Sequence, residues 1–511
     1  NSSTVTLVDL SVTSAEDLAR FAITFNEADA GEGNGNTVMV AGPLKVEGAA
    51  AIVTVSDNDN LEANIAATSG SLNTLTIDAT PETPGDGDDG DAELVVARNE
   101  DSIVRLGNLD MDATDEAVFQ VINNDGSTVT SGTIDIDADG AAYFAVTNNL
   151  DGSLIELAVI RDGDGNVTGR NSISIDAAAV GGYNGGSTNT NGYFTVGQNT
   201  SSSVFLGDVA VTAKDDASPA DADIVVDINT AGEYDIGDFT GIAGSDIHFD
   251  ANGAAGGVSL KLGDISLTSG DFIPEADGPW ESSLFFKAQS VLGNNDNNGD
   301  TEDNSDGTVV DEGQSISLDA RSVVDTGDED GNVFALIDDA PDLVSIMVAG
   351  TNAEIYLTGT VGEDDEFLLD MSEVVGGFDA GAEGYDALGS GASVNGGQDD
   401  GSYVETWNAD FGGDVVRVEI GSGGLIYNAN YSSFVPTSTG ANHTPGDNSW
   451  GAPWTADEHG WFSLGTGGDF SPVPQTQVIQ GFEQDRFDLN DGTAATWVNA
   501  IQFEQGTNSY R

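Results

Sequence analysis

Val96, Asn99, Val104, Leu106 and Gly107 recur as Val196, Asn199, Val204, Leu206 and Gly207, an offset of 100 residues. The match continues in register, with Asn108 answered by Asp208, Leu109 by Val209, Met111 by Val211 and Asp115 by Asp215. Self-similarity at a fixed spacing means that the chain is assembled from copies of one structural unit. Weaker echoes lie at Leu7, Asp9, Leu10, Val12, Thr13 and Ser14, and at Leu262 to Ser269.

The repeated unit is extended. Short alternating runs recur throughout, and 67 glycines supply turns between them, so the class is all-β. Thr133 to Asp137 alternates into an Asp-Ala-Asp-Gly turn before Tyr143 to Val146, which predicts a hairpin. Ser14 to Phe25 is the one short helix expected near the start. A spacing near 100 suits immunoglobulin-sized β-sandwiches. The expected layout is an N-terminal β domain (1–92), an immunoglobulin-like β-sandwich (93–190), a sandwich repeat (191–292), an acidic linker (293–310) and a larger β-rich C-terminal domain (311–511). Pro81 to Gly90 and Gly293 to Gly307 cannot bury an apolar face and read as linkers. Five of the six tryptophans, Trp407, Trp450, Trp454, Trp461 and Trp497, lie past Asp311 with His443 and His459.

Charge narrows the function. A formal net charge of -75, from 88 acidic against 13 basic residues, repels nucleic acid and anionic membrane surfaces. Such density opposes compaction unless salt or divalent cations screen it. The chain has no cysteine, so neither disulfides nor thiolate metal sites contribute. No segment approaches the ~18 apolar residues of a membrane span. The start at Asn1 reads as a mature secreted form, placing the protein outside the cell.

Many Asp residues sit beside Gly and Asn in short clusters, a pattern of oxygen-ligand loops for calcium. Asp135, Asp137 and Asp139 before Gly140 form a D-x-D-x-D-G string, which would gather carboxylates around a turn. Asp162, Asp164 and Asn166 make a second candidate, and Asp325, Asp328 and Asp330 a third. Asp296 and Asp300 belong to the acidic linker, whose like charges repel unless a cation organises them. Each of these clusters also reads as an ordinary polar turn. No nucleophile elbow or zinc spacing is present, so a non-catalytic protein is expected.

The stretch Val118 to Ile175 contains Ile122-Asn-Asn-Asp-Gly-Ser-Thr-Val, Ile136-Asp-Ala-Asp-Gly-Ala-Ala-Tyr-Phe and Ala158-Val-Ile-Arg-Asp-Gly-Asp-Gly-Asn-Val-Thr. It resembles the bacterial immunoglobulin-like modules of large surface proteins. In composition the whole chain resembles the acidic, calcium-dependent S-layer proteins of marine Gram-negative bacteria and of halophilic archaea. The resemblance implies a cell-surface protein self-assembling into a two-dimensional lattice bridged by Ca2+, with lipopolysaccharide or another surface glycan as a further partner. Three other readings stay open: an adhesin or carbohydrate-binding protein gripping glycan with its tryptophan-rich region, a viral or filament subunit adding its strand Ser3 to Val12 to a neighbour's sheet, and a secreted hydrolase with appended modules, which would need a C-terminal pocket lined by paired carboxylates.

Overall fold

A computed structural model describes residues 3–14, 17–24, 36–68, 71–79, 90–163, 166–179, 190–215, 220–227, 232–253, 259–270, 283–293, 314–320, 332–340, 342–350, 352–361 and 366–374, with strand segments at 403–410, 415–420, 425–428, 460–463, 476–480, 500–504 and 509–510. The all-β expectation holds: the described elements are strands. Among the described residues no helix is long and apolar enough to cross a membrane. The chain divides into two compact units, one running through Asn1–Ile265 and the other carrying most of Glu312–Arg511.

In the first unit the strands of the three long sheets are parallel, which corrects the expectation of immunoglobulin-like sandwiches. Ala92–Ala97 pairs with Ala117–Ile122, which pairs with Ala142–Thr147, which pairs with Gly192–Gly197, all in parallel. A second sheet stacks Thr74–Ala79, Asn108–Ala113, Ile134–Ala138 and Ser172–Ala179 in the same sense. A third stacks Leu61–Ile65, Ile103–Leu106, Thr128–Ser131 and Leu154–Leu157. The chain visits the three sheets in turn and starts the next coil one strand spacing on, a parallel β-solenoid. The expected hairpin over Thr133 to Val146 is likewise absent. Ile134–Ala138 and Ala142–Thr147 belong to different sheets, and each finds its partner in the neighbouring coil. Alternation with polar turns fits either arrangement, because both need one buried face and a chain reversal.

The region read as helix, Ser14 to Phe25, contains the strand Leu18–Thr24. Period two prevails there: Ala19 and Ile23 are buried, while Leu18, Arg20 and Ala22 are exposed.

Stacked apolar residues make the core. Leu94, Phe119, Phe144 and Phe194 occupy equivalent inward positions and are 1% exposed or less. Phe119 and Phe144, and Phe144 and Phe194, stack with ring centroids 5.1 Å apart, close to the rise from strand to strand.

The corners carry the second ladder. Asn58, Asn99, Asn124, Asn149 and Asn199 are buried, each Nδ2 from Asn58 to Asn149 donating to the next Oδ1 at 2.8–2.9 Å. Each Nδ2 also donates to a backbone carbonyl, at Ile23, Val55, Val96, Val121 and Val146. Beside them Ser102, Ser127 and Ser153 accept backbone N–H groups from Leu61, Ser102 and Ser127. The residue before each Asn, among them Arg98, Asn123, Asn148 and Gln198, has positive φ, turning the chain so that the amide points inward. These bonds satisfy groups that an irregular buried corner would leave orphaned.

The 100-residue repeat is therefore a composite. Asn99 to Asn124 and Asn124 to Asn149 are steps of 25 residues, and Asn149 to Asn199 a step of 50. The longer step accommodates an antiparallel hairpin, Val159–Arg161 with Val167–Arg170. A smaller hairpin, Ala67–Thr68 with Ser71–Leu72, leaves the equivalent corner earlier. Gly107 and Gly207 sit one coil on from these excursions. A Cβ at Gly107 would lie 2.1 Å from the Asn73 carbonyl oxygen, and one at Gly207 2.1 Å from that of Asn171. The shared glycine thus records the same close approach of backbone.

The second unit alternates between two parallel sheets. One stacks Gln314–Ala320, Leu343–Gly350, Glu366–Val374 and Val415–Ile420. The other stacks Ser283–Gln289, Asn332–Ala340, Asn352–Val361, Tyr403–Asp410 and Leu425–Asn428. Antiparallel pairs follow, Leu425–Asn428 with Gly460–Ser463 and Thr476–Gln480 with Ala500–Glu504.

Candidate functional site: an acidic row on one sheet

Period two places every second side chain of Thr74–Ala79, Asn108–Ala113, Ile134–Ala138 and Ser172–Ala179 on the outer face of their sheet. Registration does the rest. Asp78, Asp112, Asp137 and Asp176 stand side by side on adjacent strands, continued by Glu47 before Asp78 and ended by Thr212 after Asp176. A parallel row pairs Asp110 with Asp135 and runs on to Ser174.

Strands spaced about 4.8 Å apart hold neighbouring carboxylates at a distance where two unit charges repel by about 1 kcal/mol in water and more where water is crowded out. Like charges directly opposite each other also oppose sheet pairing. The row shows the consequence. Loss of solvent, followed by the carboxylates of Asp176, Asp112, Asp135 and Asp139, pushes Asp137 up to about 6. Asp112 is raised by desolvation, then by Asp78 and Asp110. Asp135 is raised by desolvation, then by Asp110, against a lowering hydrogen bond from Ser174. Asp176 is raised by desolvation, with Lys214 opposing and Asp135 adding. Its Oδ1 is enclosed and has no hydrogen-bond partner. Lysines guard the flanks: Lys45 Nζ lies 3.0 Å from Glu47 and 3.5 Å from Asp78, while Lys214 stands beside Asp176.

The D-x-D-x-D-G string is thus a strand and its corner instead of a loop folded around one point. Asp135 and Asp137 project from the outer face of Ile134–Ala138, and Asp139 follows at the corner before Gly140. The second candidate lies on the hairpin. Asp162 Oδ1 accepts the Asn166 backbone N–H at 2.9 Å and Oδ2 accepts Asn166 Nδ2 at 3.3 Å, so these two residues clasp each other. The hairpin's own cations are engaged as well: Arg161 lies 4.1 Å over the Phe205 ring and Arg170 pairs with Asp235. Asp164, Asp296, Asp300, Asp325, Asp328 and Asp330 lie outside the described residues, as do His443 and His459.

Other aspartates build corners. Asp208 Oδ1 accepts the Asp238 N–H at 3.2 Å and Asp238 Oδ1 the Asp264 N–H at 3.0 Å, each carboxylate capping the next coil. Asp221 does the same for Asp246 at 3.2 Å. Part of the aspartate excess is accounted for by these bonds and needs no ion.

Among the described residues no three His, Cys, Asp or Glu side chains converge into a closed metal cage. The acidic row is open. Two carboxylates 4.8 Å apart can flank a hard cation at about 2.4 Å each, its remaining six-to-eight-fold shell filled by water or by another molecule. Sequence reading nominated Asp135, Asp137 and Asp139 but missed Glu47, Asp78, Asp112 and Asp176; of these only Asp112 stands 25 residues from Asp137, and the others join the row through coils of unequal length. No family model matches the chain, and comparisons with curated proteins and with solved structures return no match.

The raised carboxyl of Asp137 fixes a sign. Its folded pKa lies above the unfolded value, so the folded state binds more protons between about pH 4 and 6 and loses stability as pH rises through that window. Asp137→Asn should therefore raise the melting temperature at pH 7.5 and leave it nearly unchanged at pH 3.5. Solvent screening of this exposed group keeps the gain to a few degrees at most. Thermal denaturation at the two pH values measures it.

Proposed function

We propose that this protein is a secreted, non-catalytic structural subunit that self-assembles into a calcium-dependent coat on a cell surface. The observation that carries the reading is the row Glu47, Asp78, Asp112, Asp137 and Asp176, carboxylates set side by side at strand spacing. A row that repels itself gains most from a divalent cation, and an open row leaves the cation's outer coordination for a neighbouring molecule. Calcium then plays two parts: it relieves repulsion within one copy and bridges carboxylates of two. Net charge supports the same reading, because at -75 two copies repel one another until salt screens or cations neutralise their acidic faces. Calcium accepts six to eight oxygens in irregular geometry and can bridge carboxylates of two copies, whereas magnesium demands near-ideal octahedral geometry and gives up its waters reluctantly. Lipopolysaccharide or another acidic surface glycan would be held through the same bridging cations.

Electron microscopy at fixed ionic strength tests the proposal. Protein dialysed into chelator should be dispersed, and millimolar calcium should restore ordered sheets where equal magnesium does not. Dispersed particles in all three conditions would overturn it.

A further inference from the structure

The remaining long sheet of the first unit has an outer face unlike the acidic one. Its eight strands run from Leu18–Thr24 through Ala142–Thr147 to Ile247–Asn252. Registration aligns Arg20, Ile52, Glu93, Val118, Tyr143, Tyr193, Asp223 and His248 in one outer row. The adjoining row reads Ala22, Thr54, Val95, Gln120, Ala145, Thr195, Val225 and Asp250. From Ile52 to Thr195 the two rows contain a single charge, Glu93, in a chain where acids number 88. Tyr143 and Tyr193 stack with centroids 4.5 Å apart and planes 3° from parallel, so each ring covers the other's face.

We propose that this face is where a second copy of the chain packs, sheet against sheet, with the two solenoids running in opposite directions. Charge fixes the direction. The face begins with exposed Arg20 and ends with Asp223, His248 and Asp250, so an antiparallel copy brings Arg20 to the end that carries the two aspartates, whereas a parallel one sets the two acidic ends together. The area is adequate: eight strands about 4.8 Å apart and about 20 Å long offer roughly 750 Å² per copy, near the ~800 Å² per partner of a stable interface. Val, Ile and Ala carry no desolvation cost on burial, and the Tyr193 hydroxyl already accepts the Asn191 amide at 2.9 Å. The inference rests on the self-assembly reading, and supplies a contact that needs no calcium.

The native chain lacks cysteine, so introduced thiols report position. In the antiparallel arrangement each row meets its own counterpart, so Thr54 faces Val225 of the second copy. Facing sheets lie about 10 Å apart, beyond the ~7 Å Cα separation that a disulfide tolerates, so a short bismaleimide bridges the thiols. Treatment of the full-length Thr54→Cys/Val225→Cys double variant in chelator and 1 M salt, where exposed charges beyond about 3 Å are screened, should give a cross-linked dimer on a denaturing gel. Thr54→Cys alone, Val225→Cys alone and Thr130→Cys on another sheet should remain monomeric. No dimer from the double variant, equal dimer from the single Thr54→Cys variant, or equal dimer from Thr130→Cys would each overturn the proposal. Because chelator is present throughout, calcium-built sheets from an uncross-linkable double variant would sink this face and leave the coat standing. Cross-linked dimers that never form sheets with calcium would do the reverse.

Discussion

Asn124→Ala should cost about 3–5 kcal/mol of stability, the larger part from groups it leaves unpaired and not from bonds it breaks. Asn124 is wholly buried and sits in mid-ladder. Its Oδ1 accepts the Asn99 backbone N–H at 3.2 Å and Asn99 Nδ2 at 2.9 Å, while its Nδ2 donates to Val96 O at 3.1 Å and to Asn149 Oδ1 at 2.9 Å. Alanine strands the Asn99 N–H and the Val96 carbonyl in a corner that water does not reach, each at about 1–3 kcal/mol. A hydroxyl pointing outward from another sheet gives the contrast, with Thr130→Ala expected within about 0.5 kcal/mol of the parent. Urea denaturation followed by circular dichroism reads both. Equal midpoints for Asn124→Ala and the parent would mean that the amide ladder does not hold the coils.

Phe144→Ala should be nearly as damaging, at about 3–5 kcal/mol, while its neighbour Tyr143→Ala should cost about 1 kcal/mol or less. The difference follows from facing. Phe144 is 1% exposed and stacked between Phe119 and Phe194, so its removal opens a cavity bounded by rings that cannot close on it. Tyr143 lies on the outer face against Tyr193 and gives up one stacking contact. An antiparallel sandwich with the same sequence would also bury one of the two. Only the parallel stack makes Phe119→Ala and Phe144→Ala strongly coupled, since both line the same cavity. Denaturant midpoints of the two single variants and of the double variant measure that coupling.

The strand content and the buried side of most strands were legible in the sequence, because alternation at period two depends only on one face being dry. Parallel pairing was not. Alternation is identical for a strand paired with its sequence neighbour and one paired with its counterpart 25 residues on, and Asp-Ala-Asp-Gly serves a corner as well as a hairpin. The deciding signal was present as Asn99, Asn124, Asn149 and Asn199 with Ser102, Ser127, Ser153 and Ser202, but the hairpin at Val159–Arg170 and the longer connection from Ala179 to Gly192 together stretch one interval to 50 and leave the repeat plainest at 100. The candidate site was half visible for the same reason. Asp135 and Asp137 stood out as a local string, whereas Asp78, Asp112 and Asp176 become their neighbours only through stacking. The clasp between Asp162 and Asn166 shows the converse, a ligand-like motif whose oxygens are taken up by its own loop.

The central claim is that the acidic row is where calcium turns this solenoid into a coat. The most direct measurement is electron microscopy of the parent and of a variant carrying Asp112→Asn, Asp137→Asn and Asp176→Asn, each in chelator and in millimolar calcium. All three substitutions relieve repulsion, so the variant should fold at least as well as the parent. Ordered sheets from the parent in calcium, with none from the folded variant, are the predicted result; sheets from both, or from neither, would contradict the account.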